Sequence, residues 1–198
     1  MKKVLTLTLL FALGLIIWSG CSPKRKVQRI DTEETRDLSG RWNDSDSRMV
    51  SRELVNQILN HRWLEEYEDQ NDGERPVIIV GLVRNKSHEH INSETFIKDI
   101  EKAIINDGSV RLVQAGSKRD DLRRERGDQQ DFASSETAKS WGLELGADYM
   151  VHGSINSIVD TYRNEKVVYY QINLELSHLQ TNEIVWIGDK KIRKYIEN

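Results

Sequence analysis

The chain has 198 residues, 37% hydrophobic and 31% charged, with 29 Lys+Arg against 32 Asp+Glu and a formal net charge of -3. That length fits one domain with short appendages. Without a basic excess, binding of nucleic acid by phosphate neutralisation is not expected. A single cysteine excludes an intramolecular disulfide and any Cys-cluster zinc site.

Residues 1–20 read as an export signal: Lys2 and Lys3, an apolar stretch from Val4 to Trp18, then the small residues Ser19 and Gly20. The apolar stretch is shorter than the ~20 residues a spanning helix needs. The one cysteine, Cys21, stands where the cleavage site ends, an arrangement that resembles a lipobox. The resemblance implies that Cys21 is diacylated and becomes the new N-terminus. Two or three acyl chains anchor a protein stably, each buried methylene adding roughly 0.8 kcal/mol. Residues 21–43 then read as the lipidated cysteine and a flexible tether. Lys24, Arg25, Lys26 and Arg29 lie close to the membrane, and Val27, Ile30, Leu38 and Trp42 show no periodicity.

A globular domain is expected over 44–198. Asp44 or Ser45 can cap a helix whose apolar face is carried by Val50, Leu54, Ile58 and Trp63, running to about Glu68. Asn71-Asp72-Gly73 breaks it, and Pro76 introduces the run Val77 to Val83, which suits a strand buried on both faces. A polar loop from Arg84 to Ile91 leads to a helix from Ser93, with Phe96, Ile100 and Ile104 inward and Gly108 past its end. Val110 to Val113 make a short strand. Lys118 to Asp131 form an exposed charged helix interrupted near Gly127, with Asp120 and Arg124 paired at i,i+4. Ser134 or Ser135 restarts a helix that turns Ala138, Trp141, Leu143 and Leu145 inward.

The period then changes from 3.6 to 2. Tyr149, Val151, Gly153, Ile155 and Val159 share one face of a strand, as do Val168, Tyr170, Ile172, Leu174 and Leu176 of the next. Arg163-Asn164-Glu165 and Gln180 to Glu183 are the turns, and Ile184 to Ile187 begin a third strand followed by a basic tail, Lys190, Lys191, Arg193 and Lys194. The fold class is therefore α/β: a single mixed β-sheet with a C-terminal antiparallel meander, flanked by helices.

Chemistry is sparse. Ser87-His88-Glu89-His90 brings two imidazoles and a carboxylate together on a loop, but a metal site needs a further well-placed ligand and supporting partners. His152 sits on a polar strand face as a surface or satisfied histidine. Neither phosphate-loop motif occurs, nor GxSxG, nor HExxH. No catalytic residue, metal, cofactor or small-molecule substrate is expected, and the chain does not read as an enzyme.

Several stretches together resemble the LpoB family of penicillin-binding protein activators. They are Arg41-Trp42-Asn43-Asp44, Pro76 to Gly81 leading to Asn85 and Glu89-His90-Ile91, Glu125 to Gln129, Gly146-Ala147-Asp148-Tyr149 with Gly153, Tyr170 to Leu176, and Thr181 to Trp186. The resemblance implies a fold like the N-terminal domain of TolB. It also implies an outer-membrane lipoprotein facing the periplasm that binds a bifunctional class A penicillin-binding protein and stimulates peptidoglycan synthesis. Ser22 after the cysteine is similar to lipoproteins sorted to the outer membrane. The expected contact surface is Arg84, Asn85, His88 and His90 with Arg124, Arg126 and Gln129 of the charged helix. Two alternatives stand beside it: a subunit of a secretion complex related to the curli-secretion lipoproteins, and a metal-dependent envelope hydrolase using His88, Glu89 and His90.

Overall fold

The computed structural model describes residues 26–32, 34–132 and 144–197. Residues from Thr35 onward form one compact unit. In the unit before it, residues 26–32 and 34 carry neither helix nor strand.

Helix α1 spans Asp44–Leu59. Its cap is Asn43, one residue earlier than the expected Asp44 or Ser45. The Asn43 side chain accepts from the Asp46 N–H at 3.1 Å, and the Asp46 carboxylate accepts from the Asn43 N–H at 2.9 Å. This reciprocal pair satisfies two of the helix's free donors. The single helix expected to Glu68 is in fact two, because Asn60 turns its amide back onto the Asn56 carbonyl at 2.9 Å and ends the first. Helix α2, Trp63–Gln70, is tied to the end of the first by the Trp63 indole, which donates to the Ile58 carbonyl at 2.6 Å. Asp72 and Gly73, both at positive φ, close it.

Strand β1 is Val77–Lys86. Asp148 pins its start: the carboxylate accepts from the Val77 N–H at 2.7 Å and from the Tyr67 hydroxyl at 3.0 Å. Burial and then this carboxylate push the Tyr67 phenol up to about 12. The expectation of a strand buried on both faces is corrected. Ile78, Val80 and Val83 enter the core, whereas Leu82 is exposed and Ile79 and Gly81 line an open cleft. An irregular register between Val80 and Val83 lets the inward side chains continue past it.

Helix α3, Ser93–Asp107, is capped by Asn92, buries Phe96, Ile100 and Ile104, and ends at Gly108 in the left-handed conformation. Strand β2, Arg111–Leu112, follows. Helix α4, Gly116–Phe132, runs unbroken through Gly127 and buries nothing. A glycine costs an exposed helix only about 1 kcal/mol, and ion pairs one turn before it support this one. Those pairs are Arg123–Asp120 and Arg124–Asp121, each at i,i+3, rather than the expected Asp120–Arg124. The helix expected from Ser134 or Ser135, with Ala138, Trp141 and Leu143, lies outside the described residues. Leu145 is exposed rather than inward.

Strands β3 (Tyr149–Tyr162), β4 (Glu165–His178) and β5 (Ile184–Glu197) form the meander. Sheet order is β2-β1-β3-β4-β5, with β1 parallel to β2 and β3 and the other pairings antiparallel. The first turn is tighter than expected, since Glu165 already pairs with Tyr162 and Arg163 takes φ of 53°. Val168, Tyr170, Ile172, Leu174 and Leu176 are all buried against α1 and α3. Val159, expected inward, is exposed, although Val168 opposite it on β4 is buried. The basic tail is itself part of β5, and its alternation sends Lys190 and Lys194 to the core side and Lys191 and Arg193 to the open side.

Candidate functional site

The expected contact residues fall in three places. Asn85 shapes the loop after β1 from within. Its side-chain oxygen accepts from the Ser87 N–H at 2.9 Å and the Ser87 hydroxyl at 2.7 Å, and its amide donates to the Glu89 carbonyl at 2.8 Å. Ile91, buried, anchors the loop's end in the core.

At the loop's tip the His88 backbone N–H donates to the Ser157 hydroxyl at 2.9 Å, and His88 Nδ1 lies 2.7 Å from the same oxygen. The imidazole stacks on Tyr170, with ring centres 6.2 Å apart, and His88 Nε2 is 3.2 Å from Glu89 Oε1. The other Glu89 oxygen accepts from the Trp42 N–H at 3.0 Å. His90 is exposed beside them.

Beneath the loop, Trp42 sets its edge against Tyr170 (5.6 Å) and Phe96 (6.3 Å), and its indole donates to Ser47 at 3.0 Å. Burial, and next the Glu89 carboxylate, push the Tyr170 phenol above its usual value. Glu89 Oε1 and the Tyr170 hydroxyl are both buried, and Oε1 has the His88 ring nitrogen as its neighbour.

The end of the segment expected as tether is thus docked. Lys194 of β5 reaches Asp37 at 2.7 Å, Asp46 at 2.6 Å and the Arg41 carbonyl at 3.0 Å. Burial works against its charge, but the two carboxylates outweigh that and hold the ammonium above its ordinary value. Trp42 and Lys194 are the residues that sequence reasoning missed here. Both left a signal: an aromatic directly before a capping box, and a lysine on the inward side of a strand's alternation.

The second place is α4. Arg123 and Arg126 clamp Glu144 from two sides, with Arg123 Nη2 at 2.8 Å and Arg126 Nη2 at 2.5 Å, and hold its carboxyl down at about 2. Arg124 is paired with Asp121 at 2.9 Å and Gln129 with Glu125 at 3.0 Å. The third place is the open face of the sheet, where Arg84 lines a cleft of about 670 Å³ away from His88 and His90. Cys21 lies outside the described residues.

Ser157, His88 and Glu89 lie in the order of a nucleophile, base and orienting acid. The Ser157 oxygen is already accepting the His88 backbone N–H, and none of the clefts described is lined by it, so the chain of contacts holds the loop to β3. Among the described residues no group of three or more His, Cys, Asp or Glu side chains is placed to hold a metal ion. No helix among them is long and apolar enough to cross a membrane.

Among solved structures, the chain is similar to the LpoB C-terminal domain from Salmonella enterica at 22% identity, covering 74% of this chain and 98% of that one, with a TM-score of 0.40. The LpoB C-terminal domain from Escherichia coli matches at 20% identity, covering 77% and 99%, with a TM-score of 0.40. The longer E. coli LpoB solved by NMR matches at 17% identity, covering 91% and 88%, with a TM-score of 0.41. No curated protein sequence matches. The family model described as peptidoglycan-synthase activator LpoB matches residues 46–192, from the first turn of α1 into β5 and so across every element above, and the chain belongs to that family.

Proposed function

We propose that this chain, a peptidoglycan-synthase activator by family, binds a bifunctional class A penicillin-binding protein and raises both its glycan-polymerising and its peptide-crosslinking output. It does so from the periplasmic face of the outer membrane, held there by a diacylated Cys21 and the tether that follows. The observation that carries this reading is the family match across the folded domain. The site's geometry agrees with it, since Asn85, Ser87 and His88 are engaged in holding the loop's shape. The secretion-complex alternative has no comparable support.

Activation of this kind is a population shift. The domain must bind the synthase's active state more tightly than its inactive state, and tenfold activation needs about 1.4 kcal/mol of difference. A modest polar contact suffices. We assign it to the exposed tip of the loop, His88 and His90, braced by Asn85, together with Arg124, Arg126 and Gln129 of α4. Arg84 stands apart from these, on the open face of the sheet.

The test is co-purification of the full chain in detergent with each class A synthase of the same organism, followed by a glycan-polymerisation assay. A stable complex and a several-fold rise in polymerisation are expected. Failure to bind or stimulate every such synthase overturns the proposal. Mass spectrometry of the envelope-derived chain, showing diacylglyceryl on Cys21, checks the anchor separately.

A further inference from the structure

The open face of the sheet lies apart from the loop assigned to the synthase. Register places its side chains in rows across four strands. Arg84 pairs with Ser154, Ser154 with Asn173, and Asn173 with Asp189; in the next row come Lys86, Asn156, Gln171 and Lys191. The floor is therefore a lattice of short amides and hydroxyls. These are ordered by one another, Asn156 donating to Ser154 at 3.0 Å and Gln171 to Asn173 at 3.0 Å.

One side of this floor is walled by the start of α4, and together they enclose the 670 Å³ cleft. Three cations line it, Arg84, Lys86 and Arg119, against one carboxylate, Glu175. Arg119 turns its Nε to the Gln114 carbonyl at 2.8 Å, while the side chains of Arg84 and Lys86 have no hydrogen bond or ion pair with any described residue. A cleft that sets two side-chain cations, unpaired among the described residues, beside Ser154 and Asn173, with Ile79, Leu82 and Met150 lining the rest, is complementary to carboxylates on a backbone that itself donates and accepts.

We infer that this cleft is a binding site for an acidic peptide segment in extended conformation. Arg84 and Lys86 take its carboxylates and Ser154 and Asn173 take its backbone polar groups. An arginine fork matches a carboxylate in two parallel hydrogen bonds, and cation clusters are a recurring means of reading acidic peptides. A volume of this size holds a few residues, within the usual range for ligand clefts of about 300–1,000 Å³.

The experiment is fluorescence anisotropy of a labelled peptide alternating Asp and Glu, titrated with the full chain in detergent at low ionic strength. The expected result is saturable binding that weakens at least tenfold in Arg84→Glu/Lys86→Glu, and at least threefold between 50 and 300 mM salt. The matching Asn/Gln peptide should not bind, and Lys102→Glu, exposed on α3, should leave binding within twofold. Arg84→Gln and Lys86→Gln, each alone, repeat the comparison should the double charge reversal unfold, which circular dichroism reads. The inference is overturned if the charge-reversed and wild-type chains bind alike, if the amide peptide binds equally, or if Lys102→Glu weakens binding as much. Binding of a glucuronic-acid oligosaccharide in place of the peptide also overturns it. None of these readings uses the synthase, so failure here leaves the activator proposal standing, and the reverse holds.

Discussion

Lys194, near the end of the last strand, places its ammonium 2.6 Å from the carboxylate of Asp46 in the first turn of the first helix. Both side chains are more than nine-tenths buried. The same Asp46 oxygen completes the cap of α1, so one carboxylate fixes the helix start, the strand and, through Asp37, the segment before the helix.

Removing one partner of a buried ion pair leaves the other charged and poorly solvated, which costs more than the pair itself contributes. Lys194→Met should therefore destabilise the domain by about 3 kcal/mol, read as a lower urea midpoint. Lys194→Met/Asp46→Asn should recover part of that loss. The pH sign follows from the raised ammonium pKa. The pair's contribution is complete below the ordinary lysine value of 10.5 and is lost as pH rises through the higher folded value. Wild-type stability should fall above pH 10.5 more steeply than that of the double variant.

Trp42→Ala removes two edge-on ring contacts and the hydrogen bond to Ser47. Its ring is only partly buried, so the cost should sit at about 2–3 kcal/mol, below or at the low end for a fully buried aromatic. Its backbone N–H still reaches Glu89, so the loop should keep its shape. Trp42→Phe should restore most of the stability in thermal unfolding, because the ring contacts carry most of the effect.

The meander was legible because alternation is unambiguous where one sheet face is buried: every expected inward residue from Val168 to Leu176 is in the core. Helix α3 was legible for a similar reason, its apolar period and Gly108 agreeing. The break at Asn60 was not, because Trp63 continues the helical apolar spacing while its indole bonds to a carbonyl of the helix before it. The docked segment before α1 was hidden because its hold is long-range: Lys194 and Glu89 supply the partners, and composition between 37 and 43 says nothing of them. Of the expected contact set, the sequence could place Arg84 and His88 on one stretch of chain. It could not show that strand alternation and the register irregularity send Arg84 to the open face and leave His88 stacked on Tyr170.

Gly153 faces the core side of β3 opposite Leu174. A Cβ there would lie 2.0 Å from the Asn173 carbonyl oxygen and 2.8 Å from a Leu174 methyl, and a backbone oxygen inside a paired sheet cannot move aside. Gly153→Ala should cost about 3 kcal/mol, at the upper end for overpacking. Gly127→Ala, where nothing lies within 4 Å and the backbone is helical, should stabilise by a few tenths to about 1 kcal/mol. Opposite signs for two chemically identical substitutions, read from thermal midpoints, are the expected outcome.

The hydrogen bonds from Arg123, with the one from Arg126, hold the Glu144 carboxyl at about 2, well under its ordinary 4.5. A depressed carboxylate contributes stability that is complete above its unfolded pKa and fades as pH falls through its folded one, here between about 4.5 and 2. Because the carboxylate is a third exposed, solvent screens the pair and the effect on global stability is small. The clean readout is the titration of Glu144 itself, followed by the chemical shift of its side-chain carbonyl carbon. Arg123→Ala should move the midpoint up toward the ordinary value, further than Arg126→Ala does, since Arg123 makes two hydrogen bonds to this carboxylate and Arg126 one. A midpoint near 4.5 in the unsubstituted chain would show that α4 and the chain at Glu144 are not clamped in solution. The α4 residues assigned to the synthase contact would then be presented by a helix free to reposition.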